Sequence, residues 1–138
     1  YAVAQSTEPL LRVGAWQHIA GVFDGKEVRI YLDGELIDAT PASGTRTRND
    51  LPLIIGADTD RGGNPMSFFG GQLDEVRLSS DARYGGGKFQ PQRRFTTDSS
   101  TTLLFHMDGA IGTWTIDSTP RATIGSLKGG ARIGPTTD

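Results

Sequence analysis

The residues best suited to chemistry lie in a polar loop in the middle of the chain. Asp58, Asp60 and Asn64 fall within seven residues, and hard cations such as Ca²⁺ prefer several oxygen ligands of this kind. A D-x-D spacing can supply two such ligands at once, although Phe69 stands where an EF-hand would place its bidentate Glu. The loop is therefore a candidate Ca²⁺ site, with a solvated polar loop as the alternative.

The same loop also suits an organic ligand. Arg61 and Asn64 could hydrogen-bond the hydroxyl groups of a sugar, and the ring of Phe68, or alternatively that of Phe69, could stack against its face. With Asp58 as a further hydrogen-bonding group, these side chains form the candidate ligand-binding set. The spacing alone does not decide between ion, sugar and solvent.

Asp74 is a third candidate metal ligand, beside Asp58 and Asp60. In a regular strand its carboxylate would share a face with Val76 and Leu78, and a carboxylate on an apolar face must find hydrogen-bond donors or a cation. The alternatives are backbone amides at a sheet corner, or a bulge at the preceding glycine pair that turns the side chain outward. We expect Glu75 and Arg77, on the opposite face, to form a solvent-side ion pair of modest strength.

The sequence offers little for catalysis. Glycoside hydrolysis needs two carboxylates facing one cleft, about 5 to 9.5 Å apart, whereas the adjacent Asp74 and Glu75 would point to opposite faces. The two histidines, His18 and His106, lie in predicted strands without a second histidine or a carboxylate at metal-binding spacing. We therefore assign both to structural positions in which their hydrogen bonds are satisfied. Cysteine is absent, which excludes disulfides and a thiolate nucleophile. We therefore expect no catalytic residue and a protein that is not an enzyme.

Length and charge narrow the possible partners. The 138 residues suit one domain, and 14 basic against 16 acidic residues give a net charge of −2. A basic surface for nucleic acid is therefore not expected. No apolar run approaches the roughly 18 residues that a membrane-spanning helix needs, so membrane insertion is not expected either.

A β-meander is the clearest structural prediction. Two Asp-Gly pairs, Asp24-Gly25 and Asp33-Gly34, separate runs of β-favouring residues, and each suits a type I′ turn. The pattern predicts three antiparallel strands at about residues 16–23, 26–32 and 35–39. The middle strand alternates Val28, Ile30 and Leu32 with Arg29 and Tyr31, as in a half-buried sheet.

The two tryptophans receive different predictions. Trp16 opens the meander and is expected to anchor the core. Trp114 is flanked by threonines in a weaker strand, so it could be a core residue, an exposed stacking residue or an interface anchor.

The rest of the chain continues the β pattern. Strands are predicted over residues 51–57, 68–79, 102–108, 113–116 and 124–133, and residues 80–101 are predicted to form a long connection with at most one helical turn at 81–84. The apolar run at 102–108 has large side chains on both faces, which indicates a strand covered on both sides. Together these features predict an all-β fold, an antiparallel β-sandwich of the jelly-roll type.

Three segments resemble the laminin G-like domains of the concanavalin A-like jelly-roll superfamily: WQHIAGVFDGKEVRIYLDGELI, LIIGAD and FFGGQLDEVRLSSDARY. The resemblance covers about residues 10–84. A later segment, FTTDSSTTLLFHMDGAIGTWTIDSTP, resembles the junction between two such repeats, as in tandem arrays of phage virion and bacterial surface proteins.

The resemblance also implies a domain organisation. Residues 1–101 would be the C-terminal part of a laminin G-like jelly roll, and residues 102–138 would supply closing strands that resemble the start of a following repeat, in one structural unit. The early strands of the family would be missing, so the sandwich would be incomplete or completed by a neighbouring chain. Open sheet edges favour pairing with other chains.

The function implied by the resemblance is recognition rather than catalysis. We expect a non-catalytic module for glycan or surface recognition, or for assembly, located outside the cell or on a virion surface. Contacts to a glycan or surface protein would come from loops at 41–50, 58–66 and 80–101. One alternative is a structural fibre or capsid-decoration subunit that pairs with other copies or neighbouring subunits; another is an accessory domain of a polysaccharide-active enzyme.

Overall fold

A computed structural model describes residues 2–45 and 50–134 of the chain. Within these ranges the regular structure is entirely β, and no helix is long and apolar enough to cross a bilayer. The strands are β1 (Ile19–Phe23), β2 (Glu27–Leu32), β3 (Glu35–Pro41), β4 (Asp58–Thr59), β5 (Pro65–Met66), β6 (Val76–Ser79), β7 (Thr101–Phe105), β8 (Trp114–Ile116) and β9 (Ile124–Ser126).

The sheets are small and their pairings join neighbours in sequence. Strands β1, β2 and β3 form a three-stranded sheet, and β4–β5, β6–β7 and β8–β9 form two-stranded sheets. The first sheet is the antiparallel meander that the Asp-Gly spacing predicts. A register shift between Ile30 and Tyr31 marks a bulge in its middle strand.

The two Asp-Gly turns differ. Asp33 and Gly34 both have positive φ, 50° and 82°, which confirms the predicted type I′ turn. In the first Asp-Gly pair only Gly25 has a positive φ, of 90°. The prediction of a type I′ turn at this pair is therefore wrong. The reason is local: a carboxylate oxygen of Asp24 accepts the amides of Lys26 at 2.9 Å and Glu27 at 3.0 Å, and this Asx-type arrangement closes the turn instead.

The chain divides into two compact units. The first comprises, in the described ranges, residues 2–45 and 77–102, and the second comprises residues 50–76 and 103–134. The proposed likeness of residues 102–138 to a following repeat is a separate question and stays a prediction.

The core of the first unit contains the polar face of β2. Tyr31 is 1% exposed and Arg29 is 7% exposed, whereas Val28 on the other face is only half-buried. Burial of a guanidinium requires paired partners, and Arg29 has them in the carboxylates of Asp24 and Glu27. The alternation predicted from sequence is therefore present.

Trp16 is not the core anchor. Its side chain is 48% exposed and it precedes β1, which begins at Ile19. The prediction was wrong because Tyr31, not Trp16, is the buried aromatic residue of the meander. The centroid of its ring lies 6.1 Å from that of Tyr84 and 5.3 Å from that of Phe89.

The long connection between β6 and β7 is present as predicted and packs on the meander. The Leu36 amide donates to the Gly87 carbonyl at 2.9 Å, and the Phe89 amide donates to the Gly34 carbonyl at 2.8 Å. The single helical turn that the sequence allows at 81–84 is not formed. Aromatic contacts and these backbone bonds hold the connection instead.

The second unit departs most from the predicted strands. Residues 51–57 form no strand, and Pro52, which lacks an amide donor, lies within this segment. The predicted strand at 68–79 is regular only as β6, because Glu75 has a φ of 51° and interrupts the extended backbone. In β7 the prediction is confirmed: Leu103, Leu104 and Phe105 are all buried, so both faces are covered.

Candidate functional site

The candidate ligand-binding residues lie on one hairpin of the second unit. In the β4–β5 pair, Asp58 lies opposite Met66 and Thr59 lies opposite Pro65, and residues 60–64 close the turn. This segment was expected to be only a loop, and the structure places a short antiparallel ladder beneath it.

Asp60 holds the closing turn together. One of its carboxylate oxygens accepts the amides of Gly62 at 2.8 Å and Asn64 at 2.9 Å, and the other accepts the side-chain amide of Asn64 at 2.9 Å. The hydrogen bonds from Asn64, with those from Gly62 and Gly63, hold the pKa of Asp60 below its ordinary value. Asp60 and Asn64 are therefore brought together, and both contribute to the shape of the turn.

Arg61 projects from this turn. The residue is exposed, and within the described part of the chain no carboxylate pairs with it. Asp58, also exposed, uses one oxygen to accept the Thr59 amide at 2.7 Å. The hairpin thus presents an unpaired cation at its tip, next to polar groups that are already fixed.

Phe68 lies at the other end of the hairpin. The Phe69 amide donates to the Gly56 carbonyl at 2.9 Å, so the chain remains paired beyond Met66 and Phe68 sits at the open end of the ladder. Its side chain is 67% exposed. Arg61 and Phe68 therefore mark the two ends of one hairpin, and a ligand that touches both must extend along it.

The proposed metal ligands are placed differently from one another. Asp58 and Asp60 share the hairpin, whereas Asp74 accepts the amide of Glu75 at 3.0 Å just before β6. Among residues 2–45 and 50–134, no group of three or more acidic or histidine side chains is arranged to hold a metal ion. Binding of Ca²⁺ by these residues stays a prediction.

Glu75 is not on a solvent-side face. Its side chain is 10% exposed, and its carboxylate lies 2.8 Å from Nδ1 of His106. The expectation of a surface ion pair with Arg77 is therefore wrong, because the positive φ of Glu75 turns its side chain inward. The two partners are 31 positions apart in the chain, so no local signal could predict this pair.

His18 occupies an aromatic cluster of the first unit. Its ring makes edge-on contacts with Phe89, Phe95 and Tyr84, at centroid distances of 5.6, 6.0 and 6.4 Å. This packing agrees with the structural position predicted for His18, but the prediction that its hydrogen bonds are satisfied is wrong, because the buried Nδ1 has no hydrogen-bond partner among the described residues.

The β8–β9 hairpin presents an apolar surface that was not predicted from the sequence. Trp114 is 52% exposed, and with three isoleucines it lines a hollow of about 330 Å³. The isoleucines are Ile111, Ile116 and Ile124. The alternation of Trp114 and Ile116 around buried Thr115 was a usable signal, but the pairing of Ile116 with Ile124 depends on a register that the sequence does not reveal.

Two further loops were predicted to carry contacts. The connection at 80–101 is described above, whereas residues 46–49 of the loop at 41–50 lie outside the described residues.

Comparison with known proteins gives one match. The family model Laminin_G_3, of the concanavalin A-like lectin/glucanases superfamily, matches residues 1–86. No curated protein and no solved structure matches the chain. Together with antiparallel sheets and no helix in the described ranges, the family match confirms the predicted all-β sandwich class and the resemblance to laminin G-like domains.

Proposed function

The chain belongs to the laminin G branch of the concanavalin A-like lectin and glucanase superfamily, and from this premise we propose that it is a non-catalytic glycan-recognition module. Its partners would be glycans or glycosylated surface proteins, and its location would be extracellular or on a virion surface. The observation that carries the proposal is the β4–β5 hairpin, which exposes Arg61 at its tip and Phe68 at its open end.

The hairpin suits a sugar ligand for chemical reasons. Arginine donates several hydrogen bonds in a fixed planar geometry, which fits hydroxyl or carboxylate oxygens. An exposed aromatic ring offers a flat apolar surface for the C–H face of a sugar ring. Because Asp60 and Asn64 fix the turn through their mutual hydrogen bonds, Arg61 is presented from a pre-ordered backbone, which lowers the entropy lost on binding.

The absence of catalysis is part of the proposal. Of the two adjacent carboxylates considered for hydrolysis, Glu75 is engaged with His106 and Asp74 accepts the neighbouring amide. Each of these carboxylates therefore already has a hydrogen-bond partner, whereas glycoside hydrolysis requires two carboxylates that face one cleft.

A glycan array tests the proposal. We expect the unmodified chain to bind a subset of glycans and Arg61→Ala to lose most of that binding. Arg132→Ala is the matched control, since Arg132 is an exposed arginine of the same unit outside the hairpin. Equal binding by both variants, or no binding of any glycan by the unmodified chain, would contradict the proposal.

The role of a bound cation can be tested with added Ca²⁺ and with a chelator. We propose Ca²⁺ as the ion that Asp58, Asp60 and Asp74 would serve, because carboxylate oxygens have several lone pairs and can bind a cation in addition to the N–H groups that they already accept. Calorimetric titration with CaCl₂, repeated on Asp58→Asn, would show heat only in the unmodified chain. Glycan binding that is unchanged by EDTA would leave the ion without a role in recognition.

A second candidate function is assembly with other copies or neighbouring subunits. The apolar surface of the β8–β9 hairpin supports it, because exposed apolar patches commonly mark interaction sites. Light scattering after size-exclusion chromatography would show oligomers at tens of micromolar. A monomer across that range would argue against assembly and leave recognition unaffected.

A further inference from the structure

His18 carries a feature that recognition does not explain. Its Nδ1 atom is buried and has no hydrogen-bond partner within the described part of the chain. A buried polar atom without a partner is uncommon, because it loses its interaction with water and gains nothing in return. The neutral imidazole tolerates this arrangement best when the unprotonated nitrogen faces the apolar side.

The rings around His18 belong mainly to the connection between β6 and β7. Tyr84, Phe89 and Phe95 all lie in it, and the planes of Tyr84 and Phe89 stack at 3.6 Å. The same connection is joined to the meander by the Leu36–Gly87 and Phe89–Gly34 backbone bonds. His18 therefore packs at the place where the connection docks on β1–β3.

We propose that His18 is an acid-sensitive latch, and that protonation of its ring releases the connection at residues 80–101 from the three-stranded meander. Protonation would place a second N–H and a positive charge on the face that meets the aromatic rings. The new N–H at Nδ1 would have no acceptor, so docking of the connection would weaken.

The charged groups near His18 do not cancel this effect. The carboxylate of Asp33 favours the protonated form of His18, and one of its oxygens accepts the backbone amide of His18 at 2.8 Å. The other oxygen is shared with Arg12 at 3.4 Å. Arg77 opposes a second cation, since its guanidinium lies 4.1 Å from the centroid of Phe95 and donates to the Tyr84 hydroxyl at 3.0 Å.

The buried Arg29 of β2 is a further charged group that contacts the docked connection. It donates to the Tyr84 carbonyl at 2.8 Å and is balanced by Asp24 and Glu27. The net effect of these surroundings is to disfavour the protonated ring. Burial lowers the pKa of His18 below 6.5, Arg77 lowers it further, and Asp33 offsets only part of this shift. Because the unfolded or undocked chain binds the proton more readily, docking weakens as the pH falls below about 6.5.

Amide hydrogen exchange measures docking directly. The informative amides are those of Leu36 and Phe89, because the hydrogen bonds that they donate join the connection to the meander. Between about pH 7.5 and pH 5 we expect their protection factors, which correct for the intrinsic pH dependence of exchange, to fall by roughly tenfold. His106→Gln is the matched control and should show the same fall.

His18→Phe separates the latch from general acid effects. Phenylalanine preserves a ring of similar shape without the buried nitrogen, so its protection factors should change little between the two pH values. An equal fall in His18→Phe, or no fall in the unmodified chain, would overturn the proposal. If that variant does not fold, NMR titration of the His18 ring serves instead: a ring titration that does not coincide with the loss of Leu36 and Phe89 protection would overturn it as well.

Discussion

The hydroxyl of Tyr31 donates a 2.9 Å hydrogen bond to the carbonyl of Gly86, a residue 55 positions further along the chain. The same hydroxyl also lies 3.2 Å from the Tyr84 carbonyl. A single buried side chain in the middle strand of the meander thus donates to backbone carbonyls of the long connection, which is joined to the meander by an isolated β-bridge between Glu35 and Lys88.

Tyr31→Phe tests this relationship. Removing the hydroxyl takes a donor away from the carbonyls of Tyr84 and Gly86, so we expect a loss of about 0.5–1.5 kcal/mol in the free energy of unfolding. Urea denaturation measures it. Tyr84→Phe is the control, because Tyr84 is half-buried and its hydroxyl accepts from the Arg77 side chain instead of donating to a backbone carbonyl. Equal losses in the two variants would contradict a special role for Tyr31.

Gly34 is predicted to tolerate no side chain. Its φ is 82°, and a Cβ atom there would collide with the Phe89 carbonyl oxygen and approach Pro91 Cδ at 2.9 Å. Gly25 has a similar φ of 90° but open space around it. We therefore expect Gly25→Ala to lose about 1 kcal/mol from backbone strain alone, and Gly34→Ala to lose roughly 3 kcal/mol or more. Thermal melting of both variants checks this, and similar melting temperatures would contradict the close docking of the connection.

Asp117 is expected to give the second unit an acid-dependent stability. Burial alone would raise its pKa, but hydrogen bonds from Thr119 and Thr123 outweigh burial and lower it. Because the folded pKa lies below the unfolded value, the stabilisation is present above about pH 4 and is lost as the pH falls through the folded pKa.

Asp117→Asn removes this dependence. We expect about 1–3 kcal/mol lower stability at neutral pH, since a neutral amide accepts the two backbone amides less strongly. The difference should shrink below about pH 4. Asp50→Asn, at an exposed carboxylate of the same unit, is the control. A constant difference between Asp117→Asn and the unmodified chain at all pH values would contradict the assignment.

The apolar surface of β8–β9 predicts association. Ile116→Ser should lower the fraction of oligomer seen by light scattering, because it removes apolar area from this surface. Ile19→Ser is a matched control, since Ile19 is 55% exposed and Ile116 is 51% exposed, but Ile19 belongs to the first unit. An equal effect of both substitutions would show that association is not specific to this hairpin.

The meander was predictable because its signals are local. Asp-Gly turns and alternating side chains lie within 20 residues of each other, and they placed all three strands within a few positions of β1, β2 and β3. Which face is buried was harder, because the deciding contacts of Arg29 and Tyr31 come from the distant connection. The placement of Trp16 failed for the same reason.

The candidate site was predictable as a segment but not as a geometry. The Asp, Arg and Asn residues at 58–64 predicted a polar loop. The sequence did not predict the short β4–β5 ladder, which places Arg61 and Phe68 at opposite ends of the hairpin. The Glu75–His106 pair shows the limit more clearly, because a positive φ at Glu75 reverses a side chain that strand alternation would place outward.

Mass spectrometry of a bound oligosaccharide, with its affinity measured in parallel by calorimetry, tests the central claim most directly. A recognition module predicts saturable binding that Arg61→Ala weakens by about 1–2 kcal/mol, with the oligosaccharide recovered at its original length after long incubation. Recovery of shortened fragments, or affinity that is unchanged in both Arg61→Ala and Phe68→Ala, would contradict it.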